Sequence, residues 1–297
     1  MSGRWHADWL SGFNGRVRTD VLLADLTWLR LGGPVRWLVA PADVESLAQV
    51  LRRCRELDVP CRVLGAGANV LAPDGGFDGV VIQLTDREMR RVEFHEGGAT
   101  AGAGAELIPL CSRSARKGFS GLEPLAGVPA TVGGAIRMNA GGRYGQISDV
   151  VSAVTLIDRD GRIETVCGEA MRFGYRSSAV GSRIVLSVEL SLGPHSPEAW
   201  RRYVEIWNEK KSAQPIKCSS AGCVFKNPSG VSAGALIDAC GLKGASVGGA
   251  SVSSDHANFV VTTRGATSED VLRLMDRVRE AVARRRGICL EPEIDIW

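Results

Sequence analysis

No apolar run in this 297-residue sequence approaches the roughly 18 residues that a membrane-spanning helix needs. The opening MSGRWHADWL has neither the apolar core of a signal peptide nor a lipidation motif. Cysteine is present but unpatterned: the thiols at 54, 61, 111, 167, 218, 223, 240 and 289 form no CxxC pair and no zinc-type spacing. They read as reduced thiols of a cytoplasmic protein, and no metal site is expected. An excess of one charge is missing too. The 36 Lys and Arg against 33 Asp and Glu leave a net charge of +3, too small to mark nucleic acid or a membrane as a partner. The one basic run, Arg284-Arg285-Arg286, falls at the end of an expected helix, where cations complement the macrodipole. Repeats and low-complexity segments are absent. What remains is a globular composition, 44% hydrophobic and 23% charged, in a chain long enough for about two domains.

The first half alternates helical and strand patterns. Leu47, Val50, Leu51, Cys54 and Leu57 recur at helical spacing over 44–57, with Pro60 as a stop. A short strand at 61–64 leads into Gly65-Ala66-Gly67-Ala68-Asn69. The dinucleotide fingerprint fails here, because Val70 holds the third glycine position and Pro73, Gly75 and Gly76 interrupt any following helix. Strands are expected at 79–84, 92–95 and 184–192, a helix over 105–117 ended by Gly118, and a hairpin from 154–158 and 163–166 around Asp160-Gly161. The stretch 121–145 is Gly-rich without periodicity, as backbone that approaches a ligand closely would be.

Turn formers at 193–197 suggest a domain boundary. Beyond it the pattern gives helices over 198–211 and 233–240, a strand at 258–262, and a helix over 269–286 capped by Ser268, with Val271, Leu274, Met275, Val278 and Val282 on one face. The expected division is therefore 1–195, with subdomains of about 27–85 and 86–195, followed by 196–297.

Chemistry concentrates in 219–230, SSAGCVFKNPSG, where Cys223 precedes Lys226-Asn227-Pro228 on a Gly-bounded turn. Taken alone this could be a loop holding an inert cysteine. Its company is GLEPLAGVPATVGGAIRMNAG at 121–141, FGYRSS at 173–178 and LEPE at 290–293. In collinear order over about 27–296, these segments resemble the UDP-N-acetylenolpyruvoylglucosamine reductase family, flavoenzymes of bacterial peptidoglycan precursor synthesis. The resemblance implies an α+β chain: an FAD-binding fold of the PCMH or vanillyl-alcohol-oxidase type, in two subdomains, plus a C-terminal α+β substrate-binding domain. It also implies non-covalent FAD, NADPH as hydride donor, UDP-N-acetylglucosamine enolpyruvate as substrate, and a chain working as a monomer.

Residue by residue, the resemblance places the flavin against Gly65, Ala66, Gly67, Ala68 and Asn69, and against Gly127, Pro129, Ala130, Thr131, Gly133 and Asn139. Tight Gly turns suit this, since successive N–H groups form a concavity for phosphate. Arg176 becomes the group that meets the substrate carboxylate, a task suited to a planar, permanently charged fork. Glu293 stands near the developing enolate or acts with a water in proton delivery. Cys223 matches the position where many relatives carry the proton-donating serine; a thiol, with an ordinary pKa of about 8.5, stays mostly protonated at neutral pH yet yields its proton more readily than an alcohol. Tyr175, Lys211, Asn227, Lys243 and His256 match substrate-contacting positions. Taken singly, each also reads as a solvated or structural side chain.

Three departures from the family pattern stand out. Ala68 replaces a usual Ser, Ala130 a usual Gly, and Asp295 a usual basic residue. Only 229–232 separate Pro228 from Ala233, so the insertion of the family's larger class is missing and the chain resembles the shorter, second type. Two rival readings remain at this point: an oxidase of the same flavin fold acting on another alcohol or sugar, and a sugar-nucleotide-binding protein without redox chemistry.

Overall fold

The computed structural model describes residues 7–213 and 218–297; the opening residues, Trp5 among them, and 214–217 lie outside the described residues. The chain forms two compact units, and each is built from separated stretches. The first comprises residues 7–20, Arg36–Gly65 and Asp78–Ile206; the second comprises Val21–Val35, Ala66–Phe77 and the described residues from Trp207 onward.

In the first unit, one sheet takes strands Gly15–Leu22, Pro34–Pro41, Phe77–Ile82 and Cys61–Val63 in that spatial order. The helix Val44–Glu56 precedes Cys61–Val63. It starts because the Asp43 carboxylate accepts from Ser46 N–H at 2.7 Å, and it buries Leu47, Val50, Leu51 and Cys54. These hydrogen bonds hold the Asp43 carboxyl below the usual carboxylate range. The second sheet, antiparallel, orders Ile163–Cys167, Val151–Ile157, Ile184–Ser191, Gly98–Gly102 and Val92–His95. Its hairpin closes where Asp158 accepts from the N–H groups of Asp160 and Arg162, at 2.8 and 2.9 Å. The stretch 121–145, expected to be irregular, contains the short helix Val132–Arg137.

The second unit carries an antiparallel sheet ordered Ser219–Cys223, Phe259–Thr262, Ala250–Val252 and Ser246–Val247. Helices Ala233–Ala239 and Ser268–Arg286 bury Leu236, Ile237, Leu274 and Val278 in one core with Val224, Phe225, Leu29, Leu31 and Leu71. The contiguous division expected at 195/196 is not how these units separate, for a physical reason. Asp74 accepts from Ser268 N–H at 2.8 Å and Glu269 N–H at 3.2 Å, Leu29 C=O accepts from the Thr262 hydroxyl at 2.8 Å, and Val70–Leu71 pairs in parallel with Asp295–Ile296. Early segments are thus bonded into the late unit.

The cap of the last helix is Thr267 rather than Ser268. Thr267 and Asp270 form a reciprocal capping box, and the Ser268 hydroxyl donates instead to Ala72 C=O. The basic run at its other end does more than complement the macrodipole, since Arg285 and Arg286 donate to Cys240 C=O and Ala239 C=O. Among the described residues, no helix is long and apolar enough to cross a membrane.

Candidate active site

In the first unit the glycine-rich segment is shaped by close approach. A Cβ on Gly65 would lie 2.6 Å from Thr131 Oγ1, and Thr131 caps the short helix by accepting from Gly134 N–H at 3.3 Å. The strand-like run before that helix is stitched to 103–107: Leu107 N–H donates to Ala130 C=O, Val132 N–H to Ala105 C=O and Gly133 N–H to Ala103 C=O, at 2.8–2.9 Å. Val128 and Ala130 N–H groups bond to Leu125 and Val128 carbonyls. The expected phosphate-binding concavity therefore cannot use those four amides of 128–133.

The other glycine turn differs. Gly67 has φ +66°, and a Cβ there would lie 2.0 Å from Leu26 C=O, so only glycine fits. Among the described residues, no protein acceptor takes the N–H groups of Ala66, Gly67 or Ala68. Three successive amides around a left-handed residue make a nest suited to a diphosphate. Ala66 also lines a cleft of about 450 Å³ within the second unit, with Asp25, Thr27, Trp28, Arg30, Cys218 and Ser219. Gly67→Ala will lower the melting temperature and the flavin retained after purification, because a left-handed Ala costs about 1–2 kcal/mol before the clash is counted. Thermal denaturation and flavin absorbance per protein check this.

Arg176 sits with Tyr175 at the centre of a tight turn, in which Gly174 and Ser177 exchange hydrogen bonds at 3.0 and 3.2 Å. Its φ of +53° is the left-handed conformation, uncommon for a side-chain-bearing residue. The guanidinium donates to Gly141 C=O at 3.0 Å and lies over the exposed Tyr175 ring, 5.1 Å from its centroid. Asn139 holds this turn from beneath. Fully buried, it donates to Gly174 C=O at 3.0 Å and to the Gln146 side chain at 3.1 Å, and accepts from Ser148 N–H at 3.3 Å. Its amide is spent on architecture, tying the Arg176 turn to the hairpin at 141–146.

In the second unit Cys223 ends the strand Ser219–Cys223, opposite Phe259, after a register shift that begins at Ser220. Gly222 takes φ +75° within that irregularity, which re-aims the residue that follows. The next residues leave this sheet and meet the end of the sequence. Lys226 N–H donates to Glu291 C=O and Glu293 N–H to Val224 C=O, both at 2.8 Å. The same terminal segment reaches the Gly-rich loop: Asn69 Nδ2 donates to Glu293 C=O at 3.2 Å, and Asp295 N–H to Asn69 C=O at 3.0 Å. Segment 291–297 is thus the middle of three bonded segments, with the Cys223 strand on one side and the Ala66–Asn69 turn on the other. Asp295, the charge reversal, is exposed, and its carboxylate accepts from the Trp297 indole at 3.1 Å.

The five expected substrate contacts divide. Asn227 Oδ1 accepts from Ala233 N–H at 2.9 Å and so folds the turn before helix Ala233–Ala239. Lys243 pairs with Asp238 at 3.0 Å. His256 packs on Phe259, 4.6 Å between ring centroids, and its Nδ1 accepts from Asn258 N–H at 3.2 Å, which places the proton on Nε2. Burial, with the positive Lys243 nearby, pushes His256 below its ordinary pKa. Lys211 lies exposed at the end of helix Glu198–Ala213, and Tyr175 belongs to the first unit.

Residues 35–166 match a family described as "FAD binding domain", and residues 214–297 match "UDP-N-acetylenolpyruvoylglucosamine reductase, C-terminal domain". A UDP-N-acetylenolpyruvoylglucosamine reductase from Moorella thermoacetica is 43% identical, over 97% of this chain and 95% of its own length. The chain belongs to the UDP-N-acetylenolpyruvoylglucosamine reductase family. A second reductase of that name, from Symbiobacterium thermophilum, is 41% identical over 95% of this chain and 92% of its own. The crystal structure of the reductase from Thermus caldophilus (MurB) is similar at a TM-score of 0.83 and 41% identity, covering 95% of this chain and 99% of that one. The fold is accordingly α+β, an FAD-binding domain with the family's C-terminal domain.

Membership in the reductase family sharpens what the sequence had left unseen. Of the cleft beside Ala66, Ser219 fell in the segment that the sequence singled out, whereas Asp25, Thr27, Trp28 and Arg30 did not stand out. Asn258, buried between the Cys223 strand and the His256 ring, left no signal beyond being an Asn at the start of an apolar strand.

Proposed function

We propose that this chain is an FAD-dependent oxidoreductase that uses NADPH to reduce UDP-N-acetylglucosamine enolpyruvate to UDP-N-acetylmuramate. The observation that carries the reading is the backbone pairing of the Cys223 and Glu293 segments, in a chain of this reductase family, next to the Ala66–Ala68 amides. FAD fits those residues: Gly65 and Gly67 leave no room for a Cβ, and the N–H groups of Ala66, Gly67 and Ala68, which take no protein acceptor among the described residues, suit a phosphate. Ala68 keeps its N–H there while losing a hydroxyl contact. When bound, FAD supplies a carrier that accepts hydride from a nicotinamide and passes hydride to an activated alkene.

The chain's own side chains handle charge and protons. Arg176 binds the substrate carboxylate and, as negative charge spreads onto it during addition to the vinyl group, stabilises the enolate through its guanidinium. Glu293 acts beside that enolate. Cys223 then gives its thiol proton to the α-carbon, completing the saturated product. Lys211, Lys243, Asn227 and His256 serve the diphosphate and uracil end, and Tyr175 is a further substrate contact. NADPH and the sugar nucleotide use one site in turn, consistent with the missing dinucleotide fingerprint. We place the reaction in the cytoplasm and the protein in solution as a monomer, which sedimentation velocity checks directly.

Anaerobic stopped-flow tests the whole reading. Flavin reduced by NADPH is expected to be reoxidised rapidly on adding the enolpyruvyl sugar nucleotide. Reduced flavin that ignores this substrate but reacts with oxygen would replace the proposal with an oxidase activity, and protein that retains no flavin would point to a binding role.

A further inference from the structure

We propose that Asn258 is a positioning residue for proton delivery, fixing the strand that bears Cys223 against the segment that bears Glu293. The inference rests on the catalytic reading of Cys223 and Glu293 above. Regular sheet pairing on this strand stops at Cys223 opposite Phe259. Beyond it, Phe225 faces Pro292 across the antiparallel bridge to the terminal segment, and the bonds of that bridge are made by the neighbours, Lys226 N–H to Glu291 C=O and Glu293 N–H to Val224 C=O. In such a pair the amide of the facing residue points the other way. Pro292, which has no N–H, is tolerated at that position for the same reason.

The outward amide of Phe225 is buried and needs partners, and Asn258 supplies both. Phe225 N–H donates to Asn258 Oδ1 at 3.1 Å, and Asn258 Nδ2 donates to Phe225 C=O at 2.8 Å. A carboxamide here imitates the peptide of a missing strand. The backbone of Asn258 continues the grip: its C=O accepts from Val224 N–H at 2.9 Å, and its N–H donates to His256 Nδ1 at 3.2 Å. Three polar groups of one residue, 2% exposed, are spent holding Val224 and Phe225, which directly follow Cys223, and Val224 C=O in turn accepts from Glu293 N–H. No other side-chain type carries a donor and an acceptor at this reach: Asp lacks the donor, and Gln overshoots by a methylene.

Because proton transfer occurs only when the substrate is reduced, Asn258→Asp and Asn258→Ala should separate the two half-reactions. In the flavin-loaded variants, NADPH is expected to reduce the flavin at the unsubstituted rate. Reoxidation by the enolpyruvyl sugar nucleotide should be slower by about 10²-fold, the cost of a small misplacement of reacting groups. Cys223→Ala combined with Asn258→Ala should be no slower than Cys223→Ala alone, since a residue acting through another is not additive with it. Unchanged reoxidation, equal slowing of both half-reactions, or full additivity overturns the proposal. Should neither variant retain flavin, hydrogen exchange on the unsubstituted protein decides: slow exchange of the Phe225 and Glu293 amides supports the grip, and exchange as fast as an exposed loop refutes it. Cys223→Ala alone tells the two levels apart. Normal reoxidation there removes the catalytic reading itself, whereas slow reoxidation there with normal Asn258 variants removes only the positioning role.

Discussion

Cys223→Ala will slow reoxidation of the reduced flavin by the enolpyruvyl sugar nucleotide about 10²–10⁴-fold, the usual worth of a positioned general acid. Reduction of the flavin by NADPH should not change, because hydride transfer from a nicotinamide needs no proton from this side chain. The thiol is partly exposed, at the end of a strand fixed by backbone bonds, so removing its sulfur leaves the sheet intact. Cys223→Ser restores a donor at the same place and should recover part of the rate, the shortfall reflecting the lower acidity of an alcohol. Anaerobic single-turnover measurements of both half-reactions, with deuterium incorporation at the α-carbon of the product, read the effect directly. Equal rates for Cys223→Ala and the unsubstituted protein would remove Cys223 from the mechanism.

The second large effect belongs to Arg176. Arg176→Ala is expected to lower the rate of substrate reduction about 10²–10³-fold, as loss of one preorganised donor to developing negative charge does. Arg176→Lys should recover little, because an ammonium cannot reproduce the planar two-point contact. The backbone offers a control. With φ at +53°, Arg176 occupies a conformation that costs an L-residue about 1–2 kcal/mol and a glycine almost nothing. Arg176→Gly should therefore match or exceed the unsubstituted protein in melting temperature while being as slow as Arg176→Ala. A glycine variant that melts early would show that the bond to Gly141 and the Tyr175 contact hold the turn, and that the rate loss is structural.

How far the sequence could be read depended on whether a signal was local. Helix Val44–Glu56 was legible from the spacing of Leu47, Val50, Leu51 and Cys54, and strand Val92–His95 from its own residues. Strands Gly15–Leu22 and Pro34–Pro41 were not, because their pattern of exposure does not alternate cleanly. The helix start at Thr267 was displaced by one residue, since Thr and Ser are equally good caps and only Asp270, three residues after Thr267, distinguishes them. At the site, the Gly65–Asn69 turn and the Cys223 segment announced themselves by composition. Asn139 stood in a flavin-like motif, yet its amide serves the Arg176 turn, and nothing in a linear reading reveals a bond to Gly174. The tethering of 66–77 by Asp74, Asn69 and Leu71 was equally hidden, because those bonds span 194 residues or more.

That tethering bears on how such a protein can be recombined. A segment cut at 196 and moved into another chain would arrive without Leu29, Leu31 and Leu71, three of the side chains that fill its core, and without the Asp74 carboxylate that receives the first amides of its last helix. The late unit is not a cassette. Exchange between related chains by a single crossover near 195 should yield folded hybrids only when both parents supply matching side chains at 29, 31 and 71, so these early positions travel with the C-terminal third as if linked to it.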